Sequence, residues 1–158
     1  MRPDRPRVLV VEDGHEYLTN LERFLGEDFV FQRAGDGPAA LEMLAGARFD
    51  ALFLDMRFDR AERLLGDLDE LVDRFAGDRG RARRFLEDHQ GTYVLAALRE
   101  AGHRQPVLMS YDFDGEPRRF RNLEGRYGPL GYLSDAAGPA EIRAALDRMA
   151  PGRARPGT

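Results

Sequence analysis

Three apolar runs in this sequence end on oxygen-bearing side chains. The run "VLVV" at 8–11 ends on Glu12 and Asp13, "ALFL" at 51–54 ends on Asp55, and "PVLM" at 106–109 ends on Ser110. Carboxylates gathered at one edge repel each other, and a hard divalent cation offsets that best, because Mg²⁺ prefers oxygen ligands and keeps several waters. A pocket of Asp13 and Asp55 around Mg²⁺ could hold a phosphoryl group, with Asp55 as nucleophile and Ser110 giving a hydroxyl to one phosphoryl oxygen. The spacing permits such a site without requiring it. A purely structural reading makes Glu12 and Asp13 helix caps and Asp55 the start of a turn, and it needs three separate coincidences.

The elements that must position these groups are readable from periodicity. Arg7 to Val11 forms a short buried strand rich in β-branched residues. Leu18, Leu21 and Leu25 recur at helical spacing, Phe24 joins them, and Gly26 offers a stop. Phe29 to Gln32 is a second strand, and Asp36, Gly37 and Pro38 start a helix with Asp36 as cap and Leu41 and Leu44 facing inward. "FDALFLDM", "PVLMS" and "PLGYL" are the third, fourth and fifth strands. Pro139 opens a last helix, with Ile142, Ala145, Leu146 and Met149 on one face. Apolar strands alternating with helices predict an α/β fold: a doubly wound, flavodoxin-like, five-stranded parallel sheet with helices on both faces. Sites in such sheets lie at the carboxyl ends of the strands, where the topology reverses.

One segment breaks the alternation. Leu64, Leu65, Leu68, Leu71, Val72 and Phe75 form an apolar stripe at helical spacing, Gly77 and Gly80 bracket a break, and "RARRFLEDH" continues as helix. The expected organisation is one domain over 1–150, a helical insertion at 59–90 after the third strand, and a disordered tail at 151–158. The three histidines, His15, His89 and His103, show no metal-ligand spacing and are read as surface residues.

In order, "VLVVED", "DALFLD", "PVLMS" and "GYLSDAAGPAEI" resemble the receiver domain of two-component response regulators. The resemblance implies that Asp55 is the phosphoacceptor, that Asp13 binds Mg²⁺ directly, and that Glu12 assists through water. It assigns the backbone carbonyl of Arg57 to the same metal, Ser110 to the hydroxyl that moves toward the acyl phosphate, and Tyr132 to the aromatic that rotates with it. It further implies a histidine kinase or phosphotransfer protein as phosphoryl donor, an output protein, and a possible homodimer.

Three departures from that family pattern stand out. Receivers carry lysine and proline where this chain has Asp135 and Ala136, and the chain has no lysine at all. Arg57 and Arg126 are the candidates to replace the lost cation, although a guanidinium is bulkier and planar. Tyr111 follows the hydroxyl where a small residue is usual, with Asp112 and Asp114 adding negative charge. The insertion falls beside Asp55, where it could shield that residue or dock a partner.

Two functional versions therefore stay open: a stand-alone phosphorelay receiver acting through protein contacts, and a degenerate receiver that works without phosphate. Neither is an enzyme. A Mg²⁺-dependent phosphohydrolase is a third, weaker reading, because the acid/base aspartate two residues after such a nucleophile is here Arg57. The formal charge of −4 gives no whole-chain reason to expect nucleic acid. The absence of cysteine excludes disulfides and thiolate sites. No apolar run approaches a membrane span and no signal peptide is seen, so a cytoplasmic protein is expected.

Overall fold

Alternation along each strand decides which face every core residue covers. In the computed structural model, which describes residues 4–150, Val8, Val10, Ala51, Phe53 and Leu108 join one buried cluster. Their neighbours Leu9, Val11, Leu52, Leu54, Val107 and Met109 join another on the opposite face. Strands buried on both faces must be apolar throughout, which is why they read as unbroken runs. The strands are β1 (Arg7–Val11), β2 (Val30–Ala34), β3 (Ala51–Asp55), β4 (Val107–Ser110) and β5 (Leu130–Leu133). All pairings are parallel, in the order β2-β1-β3-β4-β5. The chain leaves β1 toward β2 and then returns past β1 to β3, so the reversal point lies between β1 and β3.

Helix α1 (Glu16–Leu25) and helix α7 (Pro139–Met149) cover the first face through Leu21, Leu25, Ile142, Ala145 and Leu146. Helix α2 (Gly37–Gly46) and helix α5 (Gln90–Glu100) cover the second through Ala40, Leu44, Val94, Leu95 and Leu98. Asp36 caps α2 as its sequence position suggests, accepting the Ala39 N–H at 2.8 Å. Helix α6 (Pro117–Tyr127) completes the second face with Phe120 and Leu123. The apolar pattern did not single out α6, whose segment "PRRFRNLEGRY" is dominated by arginine and has no buried residue.

The insertion is only partly helical. Helix α3 (Leu68–Arg74) and helix α4 (Arg79–Asp88) form a hairpin, whereas residues 59–67 run as an irregular strap. The stripe from Leu64 therefore does not lie on one helix. Gly66 adopts φ +105°, a left-handed conformation that ends any continuous helix, and Asp67 then caps α3 by accepting the Glu70 N–H. Gly80 falls inside α4 rather than at the break. Leu71, Ala82 and Leu86 form a small core of their own, with Leu64, Phe75, Phe85 and Tyr93 packed around it. Gln90 already belongs to α5, so the inserted helices end at Asp88. The expected tail at 151–158 lies outside the described residues. Among those described, no helix is long and apolar enough to cross a membrane.

Candidate functional site

Asp55 and Ser110 are direct partners in the register between β3 and β4, so the sheet itself sets them side by side at its carboxyl edge. Asp55 is half-buried, and its Oδ1 accepts the Met56 N–H at 2.8 Å. Burial is the largest influence on this carboxyl group, and the charges of Asp13 and Glu12 act the same way against that hydrogen bond. Together they lift its pKa from 3.8 to about 6. The three acids of the sequence reading therefore share one electrostatic neighbourhood. Gly91, at the start of α5, makes the close approach possible: a Cβ there would stand 2.6 Å from the Asp55 carbonyl oxygen and 2.8 Å from Met56 Cα.

Each acid already has partners from the chain. Glu12 is buried, and its two carboxylate oxygens accept the Tyr17 N–H at 3.1 Å and the Leu18 N–H at 2.7 Å, satisfying the first turn of α1. Burial nevertheless raises its pKa. Asp13 Oδ2 accepts the Arg60 N–H at 2.7 Å, and its Oδ1 lies 3.5 Å from the Arg60 guanidinium. Under this cover the Asp13 side chain is only 3% exposed. The same guanidinium makes a two-pronged contact with Glu16, at 3.0 and 3.3 Å, and pulls the Glu16 pKa down to about 2. Arg33, on β2, donates to the backbone carbonyls of Asp13 and Gly14.

Arg60 is one of three arginines at three-residue spacing after β3. Arg57 pairs with Asp88 at 3.1 Å, and Arg63 makes a two-pronged contact with Asp36 at 3.1 Å. Buried Gln90 then holds the strap's end, accepting the Leu65 N–H at 2.6 Å and donating to the Leu65 carbonyl at 3.0 Å.

These positions correct two expectations. The compensating arginine is neither Arg57, whose side chain turns to Asp88, nor Arg126, which lies over Tyr127 on α6; the arginine on the acid edge is Arg60. Of the three histidines read as surface residues, His15 is exposed, whereas His89, stacked on Phe85 at 4.0 Å where it closes α4, and His103 are half-buried.

The hydroxyls are also tied down. Ser110 is 5% exposed, and its Oγ lies 2.6 Å from the Tyr17 hydroxyl. Tyr17, missed by the sequence reading, reaches the site because α1 packs its ring against Phe53. Tyr111 turns toward α6 and donates to Glu116 at 2.5 Å. Tyr132 donates to Asp114 at 2.6 Å and packs edge-on against Phe113 and Phe120. Asp135 is exposed, although its charge is felt at Tyr17.

Do these residues fit the Mg²⁺ that the resemblance implies? In this arrangement they do not: the oxygens of Glu12 are used by α1 and those of Asp13 by Arg60. Among the described residues, no three His, Asp or Glu side chains group as a metal-holding cluster.

No protein-family model matches the sequence, and no curated protein matches it. Solved structures do. The chemotaxis response regulator CheY4 of Vibrio cholerae is similar at 19% identity, over 92% of this chain and 99% of that one, with a TM-score of 0.64. The Francisella response regulator 1452 receiver domain is similar at 16% identity, over 92% and 96%, with a TM-score of 0.63. The receiver domain of an HD domain-containing protein from Pseudomonas fluorescens Pf-5 is similar at 18% identity, over 92% and 94%, with a TM-score of 0.59. The fold is that of a response-regulator receiver domain. The α3–α4 hairpin and its strap follow directly after the strand that bears Asp55.

Proposed function

We propose that this chain is a receiver-type signalling module that acts through contacts with other proteins, with Asp55 as the residue that accepts a phosphoryl group. One observation carries the reading: Asp55 and Ser110 are register partners at the carboxyl edge of β3 and β4, next to the reversal point of the sheet. An Asp55 carboxylate oxygen would attack the phosphorus of a phosphohistidine on a kinase or phosphotransfer protein, forming an acyl phosphate as the P–N bond breaks and the donor's imidazole leaves with the electron pair. Ser110, released from Tyr17, would then donate to a phosphoryl oxygen.

A second reading, a module that works without phosphoryl transfer, is favoured by a specific observation. Arg60 already sets a positive charge against Asp13, and the chain offers no lysine to meet a phosphoryl group. The test is incubation with acetyl phosphate and MgCl₂ followed by intact mass measurement. One added phosphoryl group that Asp55→Asn abolishes supports the first reading. An unmodified mass supports the second.

A further inference from the structure

The strap between β3 and α3 places an arginine where two carboxylates need a counter-charge. Arg60 arrives from outside the sheet, donates its backbone N–H to Asp13, and lays its guanidinium against Asp13 and Glu16. Arg60 itself is 57% exposed while the Asp13 side chain beneath it is 3% exposed. The arginine is therefore a cover whose outer side faces solvent. Arg63 on Asp36 and Gln90 on Leu65 pin the far end of the strap by contacts that do not involve Asp13. Lifting the Arg60 side chain thus leaves the strap attached.

We propose that Arg60 is a built-in counter-cation that latches the acid edge, so that its guanidinium and a divalent cation exclude each other at Asp13. This rests on the reading of the Asp13–Asp55 edge as a receiver-type site. Both occupants answer the same need, positive charge against crowded carboxylates, yet they satisfy it differently. A guanidinium brings directed N–H donors and sits to one side of Asp13, whereas a hard cation demands several oxygen ligands around itself. With the Arg60 guanidinium 3.5 Å from Asp13 Oδ1, that oxygen already faces a positive charge, while Oδ2 keeps the Arg60 backbone N–H whichever way the side chain lies. Glu16 holds the same guanidinium in a two-pronged contact, which makes Glu16 part of the latch and not of the cation site.

The test is binding of Mn²⁺ alone, read by electron paramagnetic resonance of the free ion, on the full chain. Arg60→Ala and Arg60→Gln are each expected to bind Mn²⁺ at least tenfold more tightly than the wild type. Glu16→Gln, which loosens the latch without removing it, should fall between. Arg63→Ala, on the same strap but away from Asp13, should match the wild type. Adding Asp13→Asn to Arg60→Gln should erase the gain. Arg60 variants that are folded by circular dichroism and bind no more tightly than the wild type overturn the proposal, as does a gain that survives Asp13→Asn. If Arg60→Ala does not fold, Arg60→Gln and Glu16→Gln decide. Acetyl phosphate labelling of the same variants separates the two levels. Tight Mn²⁺ binding without labelling leaves the latch standing and removes Asp55 as phosphoacceptor.

Discussion

Replacing Asp55 by asparagine should make the protein more stable at neutral pH, and the size of the gain follows from its surroundings. Burial and the neighbouring charges raise the folded-state pKa from 3.8 to about 6, so the folded chain holds this proton more tightly than the unfolded chain does. For a raised carboxyl the sign is fixed. Its contribution to stability is complete below the ordinary value and is lost as the pH rises through about 6. A difference of about 2 units at ~1.4 kcal/mol each makes the ionised carboxylate cost roughly 3 kcal/mol near pH 7.5 and about 0.5 kcal/mol near pH 4. Asparagine carries no charge and keeps an oxygen to accept the Met56 N–H. Urea melts of wild type and Asp55→Asn, followed by far-ultraviolet circular dichroism, should differ by about 3 kcal/mol at the higher pH and by under ~1 kcal/mol at the lower. In thermal melts the neutral-pH gain corresponds to about 6–12 °C. An equal difference at both pH values, or a destabilised variant near pH 7.5, would refute the account of Asp55 as a carboxylate held among other negative charges.

Three further substitutions probe the frame around the site. Gly91→Ala forces a Cβ to within 2.6 Å of the Asp55 carbonyl oxygen, and a lower midpoint by about 1–3 kcal/mol is expected in a urea melt. Arg99→Met removes a buried guanidinium that donates to the carbonyls of Tyr127, His103 and Pro129; leaving those oxygens unpaired should cost about 2–3 kcal/mol by the same melt. Gln90→Leu deprives the Leu65 N–H and carbonyl of their partner, so trypsin should cut after Arg60 and Arg63 faster than in the wild type, as read by mass spectrometry.

The frame was legible because burial on two faces leaves so little choice of residue. Val8 to Val11, Ala51 to Leu54 and Val107 to Met109 are each buried, and their apolar character marks them as central strands before any coordinates are seen. Helix α6 lacked that mark: its contacts to the sheet come from the half-buried Phe120 and Leu123, and four of its 11 residues are arginine. The carboxylates stood out because each apolar run breaks off in an acid, at the carboxyl edge of the sheet. Arg60 could not be found the same way. Its partners, Asp13 and Glu16, lie more than 40 residues earlier in the chain, at separations of 47 and 44, and no periodicity links them. Its only sequence trace is the spacing of Arg57, Arg60 and Arg63, which resembles ordinary arginine-rich composition until each finds a separate acid. Tyr17 was hidden for a related reason: its partner Ser110 lies 93 residues later in the chain, and only its hydroxyl belongs to the site.

The α3–α4 hairpin owns its interior, with Leu71, Ala82 and Leu86 enclosed by its own turns and by Tyr93. It joins the sheet layer through a few seams, among them the Phe58 N–H to the Glu87 carbonyl and Gln90 to Leu65. A piece built in this way can come undone and re-form while the strands stay paired, so its amides should exchange with solvent well before those of β1, β3 and β4. Because the strap is threaded between that piece and the acids, loosening the hairpin slackens the tether on the carboxylate rim, and a partner that grips α3 or α4 gains leverage over residues it never touches.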